Sequence, residues 1–165
     1  MCKKRISERP MKKIATLFFC IIFVFLTTSC SGVTASAHSL LYDFIASYGA
    51  AGVLYSPLIP EGEAGYATAD FFIMLFAEPP DKESDYAVFL SSSIDTAYEA
   101  AVFICRDESS VKFAERLCRG RLRLLSDMGF GDSGLLLRRG DVIFYSTFPD
   151  AERAERIFCD LPLYR

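Results

Sequence analysis

The chain has 165 residues, 52% hydrophobic and 24% charged, which is enough for one domain with a core and too little for two. Six of the 18 basic residues but one of the 21 acidic ones fall in the first 29 positions, so the rest carries 12 basic and 20 acidic residues, a net charge of −8. An acidic body lacks the basic footprint of a nucleic-acid binder, and one histidine with six cysteines in no CxxC spacing leaves no zinc site. No cofactor motif is visible, so none is expected. Only Cys105, Cys118 and Cys159 follow Cys30, an odd count that argues against a disulfide framework.

The N-terminus reads as a signal peptide over 1–29. Lys12 and Lys13 follow Met11, where the peptide is also readable as starting, and an apolar run of 13 residues covers 14–26. A membrane-spanning helix needs about 20 such residues. The run ends in "TTSC" (27–30), which resembles the lipobox of bacterial lipoproteins: small residues, then a cysteine that receives a diacylglyceryl group and becomes the mature N-terminus. Cys30 is therefore the expected lipidation site and the membrane the expected partner, since two acyl chains hold a protein durably. The competing exit is Ala35-Ser36-Ala37, an A-x-A site that would release a secreted protein starting at His38.

Residues 30–37 read as a flexible tether of small side chains, and 38–165 as the folded domain. A helix is predicted over 38–49 from Leu41, Phe44, Ile45 and Tyr48, stopped by Gly49. The segment 56–65 is a turn-rich loop, and 67–80 offers Thr68 as a cap, an apolar helix and a Pro-Pro stop. Strands are expected over 86–92 and 97–105, followed by a long helix over 107–129. A second hairpin turns at Arg138-Arg139-Gly140-Asp141 within 134–148, and a helix over 149–161 closes the chain, with Pro149 in its first turn. The result is an α+β domain: an antiparallel sheet of about four strands from two β-β-α units, with helices packed on one face.

Few side chains suggest chemistry. His38 lies on or beside the tether, a poor place for a general base that must be held rigidly. Arg139-Gly140-Asp141 reads as a hairpin turn rather than a recognition tripeptide. Cys105, Cys118 and Cys159 each lie in apolar runs, which suits inert thiols better than a thiol-dependent enzyme. At about 100° per residue, Lys112, Arg116, Arg119 and Arg123 form one stripe of the long helix. That stripe reads first as a solvated face and second as a contact for anionic headgroups or polymers. Arg121 instead projects from the apolar face, where a guanidinium needs a carboxylate, and Glu99 interrupts an otherwise apolar strand. The two are expected to form a shielded ion pair.

The stretch from "SDYAVFLSSSIDTAYEAAVFICRDESSVKFAERLCRGRLRLL" to "GDVIFYSTFPDAERAERIF" resembles a family of small lipoproteins of Gram-positive bacteria, domain of unknown function 4358. The resemblance covers roughly 65–158 and rests on Glu99 before an "AVF" strand, Arg121 in the next helix and Gly140 before the last strand. It implies an exported lipoprotein and supplies no activity. The expectation is a membrane-anchored extracytoplasmic binding or scaffold module without catalysis, whose further partner is an envelope protein or polymer.

Overall fold

The computed structural model describes residues 35–81, 84–92, 98–130 and 134–163. The signal peptide, Cys30 and tether residues 31–34 lie outside them. The chain divides into units 1–33 and 34–165, and the second is an α+β domain built on an antiparallel sheet. Its elements are α1 (Ala37–Tyr48), β1 (Gly52–Tyr55), α2 (Ala69–Phe76), β2 (Asp85–Ser91), β3 (Glu99–Ile104), α3 (Glu108–Asp127), β4 (Leu135–Arg139), β5 (Val142–Ser146) and α4 (Ala151–Asp160). No helix of the described residues is long and apolar enough to cross a membrane.

Local chemistry sets most boundaries. Ser36, Thr68, Asp107 and Asp150 each cap a helix by accepting a backbone N–H three residues on, from Ser39, Phe71, Ser110 and Arg153. Asp150 is thus the cap of α4, and Pro149 lies just before it rather than in the first turn. The β4–β5 hairpin turns at Gly140, whose φ of 65° is left-handed and suits glycine.

The sheet order is β1-β2-β3-β5-β4 with every neighbour antiparallel. It has five strands, one more than expected from sequence. β1 has only four residues, Gly52–Tyr55, half of them exposed, so its apolar pattern is too short to read without β2 beside it.

Helices cover both faces of the sheet, which corrects the expectation of a single covered face. The α1 and α4 face packs Leu40, Leu41, Phe44, Phe144, Phe148 and Phe158. Within it the Phe44 and Phe144 rings lie 4.8 Å apart and the Phe144 and Phe158 rings 4.4 Å. The opposite face holds α2 and α3 through Phe72, Phe76, Phe103, Leu117, Ile143 and Tyr145. The physical reason lies in the central strands: β3 and β5 are buried along nearly their whole length on both sides, so either face left bare would put apolar surface in water. The two β-β-α units therefore send their helices to opposite faces.

The domain also begins earlier than residue 38. Ala35 and Ala37 are buried, Ala35 donates its N–H to the Leu163 carbonyl at 3.2 Å, and Ala37 donates to Asp85 Oδ2 at 2.7 Å. His38 accordingly sits in the first turn of α1, not on a tether. A chain starting at His38 loses the Ser36 cap and both of these bonds. Its denaturant midpoint is expected to fall, with a loss of about 1–2 kcal/mol relative to a chain starting at Cys30, measurable by urea unfolding.

Candidate functional site

Glu99 opens β3 facing α2 and α3, and its side chain is 4% exposed. Its backbone is held by Thr147: Thr147 N–H donates to the Glu99 carbonyl and Glu99 N–H to Thr147 Oγ1, both at 2.9 Å. From mid-α3, Arg121 reaches the carboxylate with both prongs of its guanidinium, Nε to Oε1 at 2.8 Å and Nη2 to Oε2 at 2.6 Å. The Arg121 side chain is 13% exposed, and its Nη1 donates to the Leu75 carbonyl at the end of α2 at 3.4 Å. A third partner went unseen in the sequence: the Tyr145 hydroxyl donates to Glu99 Oε1 from the adjacent strand β5. Its only sequence signal was a hydroxyl inside the apolar run "VIFYS".

Electrostatics match this geometry. Burial opposes the charge on Arg121, yet the Glu99 carboxylate outweighs it and holds the guanidinium above its ordinary pKa. Burial first, and the Glu99 charge second, push the Tyr145 hydroxyl well above the usual phenol range. Tyr145 is therefore a fixed neutral donor and Arg121 a fixed cation, and the carboxylate between them accepts three hydrogen bonds from the two. This cluster is a clamp joining α2, α3 and the sheet.

Above the clamp runs a groove of about 410 Å³ between α2 and α3. Phe76, Leu117 and Gly120 line it, together with the whole cationic stripe of Lys112, Arg116, Arg119 and Arg123. Ala77, left-handed at φ 60°, ends α2, and the next residue, Glu78, makes a two-pronged pair with Arg116. Arg119 lies 3.7 Å from Glu115 on its own helix. Lys112 and Arg123 make no hydrogen bond or close ion pair among the described residues, and Lys112 is attracted at longer range by Glu108, which Arg138 holds. Gly120 sits in the helix interior, where glycine costs roughly 1 kcal/mol relative to alanine. A Cβ there would meet nothing within 4 Å, so no neighbour demands a glycine.

The other sequence candidates fall elsewhere. Arg139 donates to the Phe158 and Leu161 carbonyls at 2.6 and 3.1 Å, and Arg138 pairs with Glu108, so the Arg-Gly-Asp turn is tied into the fold. His38 Nδ1 is buried without a partner among the described residues, beside Asp85, whose carboxyl burial raises against the Ala37 N–H that lowers it. Cys105 and Cys118 are buried, and burial lifts the first thiol to about 11 and the second well above its usual range. Cys159 is exposed, which corrects the reading of its apolar run as the setting of an inert thiol. It falls on the outer side of α4, although its local sequence "RIFCDL" looks apolar.

No protein-family profile, curated protein or solved structure matches this chain.

Arg121→Leu and Glu99→Leu are each expected to destabilise the domain by about 3–5 kcal/mol, because each leaves a buried charge alone. The double replacement recovers part of the loss, and a double-mutant cycle by denaturant unfolding measures the coupling. Tyr145→Phe costs less, about 1–3 kcal/mol, since Arg121 still satisfies the carboxylate.

The raised thiol and phenol groups also set an alkaline limit. Each stays protonated in the folded domain where the unfolded chain ionises, so the unfolded state binds fewer protons and stability falls as pH rises. For Cys105 the window runs from 9 to about 11. Midpoints measured across it should decline, and Cys105→Ala should flatten the first part. In native thiol labelling, Cys159 should react fast while Cys105 and Cys118 react only on unfolding.

Proposed function

We propose that this chain is an extracytoplasmic lipoprotein, held to the membrane through a diacylglyceryl group on Cys30 and acting as a binding or scaffold module. The observation that carries the location is the short apolar run ending in "TTSC". It is supported by the place of Ala35-Ser36-Ala37 in the fold. Cleavage after Ala37 removes a helix cap and two buried alanines, whereas cleavage before Cys30 leaves them all in the domain. The likeness to the Gram-positive lipoprotein family points the same way.

A binding role is favoured over catalysis by what the described residues do. The buried carboxylate is held by Arg121 and Tyr145, and the two buried thiols are kept protonated. One open, chemically varied surface is the cationic groove, whose groups attract and orient rather than transfer protons or electrons.

Intact-mass analysis of protein from its native host tests the location. The mature chain is expected to start at Cys30, carry the diacylglyceryl increment and partition into detergent. Cys30→Ser should accumulate as precursor or be cut after Ala37. A soluble wild-type protein with His38 at its N-terminus overturns the lipoprotein reading.

A further inference from the structure

We propose that the α2–α3 groove binds a linear phosphate-bearing polymer along the Lys112, Arg116, Arg119 and Arg123 stripe, with Gly120 leaving room for its backbone. This deepens the reading as a binding module and rests on that reading.

Three observations converge. First, the cations span 12 residues of α3, about 16 Å of helix, and all four line one groove. Against Glu78 and Glu115 they leave a surplus of two positive charges. That surplus concentrates four of the twelve basic residues after position 30 in a domain of net charge −8. An anion is drawn to this patch and repelled elsewhere. Second, the end cations Lys112 and Arg123 make no close ion pair among the described residues, Lys112 feeling at longer range a Glu108 that Arg138 already holds, while the inner Arg116 and Arg119 have exchangeable partners. A ligand with repeated charges engages both ends at once; a single small anion reaches one. Guanidinium forks suit phosphate oxygens, and Arg116 already grips a carboxylate in that two-pronged manner. Third, Gly120 has no packing reason to be glycine, and its missing side chain keeps the groove open at its middle.

The bilayer is the less suitable occupant: the four cations line a narrow concave groove along one helix, which suits a slender chain better than a flat lipid surface.

The test measures binding of the full chain, in neutral detergent, to fluorescently labelled long-chain inorganic polyphosphate at 20–150 mM salt. Saturable binding that weakens with salt is expected, with a loss of about fivefold for Lys112→Ala and for Arg123→Ala, the weight of one screened cation–phosphate contact. Gly120→Leu should weaken binding at least tenfold while raising the unfolding midpoint, so lost binding is not lost folding. Gly120→Ala should raise the midpoint and leave binding within twofold. Anionic phosphatidylglycerol vesicles should bind no better than neutral phosphatidylcholine vesicles, and inorganic phosphate at matched phosphorus concentration should compete poorly. Undetectable binding at 20 mM salt, indifference to all three weakening variants, preference for anionic vesicles over polyphosphate, or full competition by inorganic phosphate each overturns the proposal. Polymer binding without acylation at Cys30 refutes the anchor and keeps the groove; acylation without polymer binding does the reverse.

Discussion

A carboxylate placed inside a sheet face must be matched, because its desolvation costs several kcal/mol and bare burial would unfold a small domain. Glu99 imposes this constraint on the α2–α3 side of the molecule. Arg121 answers it only if α3 lies across β3 at one height and one rotation, so that both guanidinium prongs meet both oxygens. The spare guanidinium nitrogen then finds the Leu75 carbonyl, which fixes where α2 ends, and Tyr145 brings in β5. One charge pair thus sets the mutual register of two helices and two strands. Apolar packing alone is non-directional and would allow them to slide.

The two faces of the sheet divide the labour. The α1 and α4 face is apolar and aromatic, with Phe44, Phe144 and Phe158 in ring contact, and it receives the chain from its N-terminal side. The α2 and α3 face carries the polar clamp and, above it, the cationic groove. The groove inherits its shape from the clamp: Arg121 turns inward to Glu99, so its neighbours Gly120 and Arg119 fall on the groove side. A helix that rotated to expose Arg121 would also scatter the stripe.

The Ala35–Ala37 stretch looks like a processing site in sequence and is yet part of the domain: Ser36 caps α1, Ala37 donates to Asp85, and Ala35 and Ala37 are buried. The cationic surface needs a folded α3 beside α2.

Features decided by near neighbours in the chain were readable from residues alone. Thr68 as a cap, Gly49 and Gly140 as turns, and the α+β order of elements follow from capping and dihedral preferences within a few residues. The Glu99–Arg121 pair was also readable, since a charge on an apolar strand and a charge on an apolar helix face each demand a partner. Tyr145 was not, because a tyrosine in a strand satisfies its hydroxyl in many ways, and only the β3–β5 pairing sets it near Glu99. The continuous apolar runs of β3 and β5 hold the information that both faces are covered, but which helix goes to which face is a long-range choice. So is the groove: sequence periodicity aligned its four cations, and only the packing of α2 against α3 turned that line into a concave surface, because concavity belongs to two elements and neither has it alone.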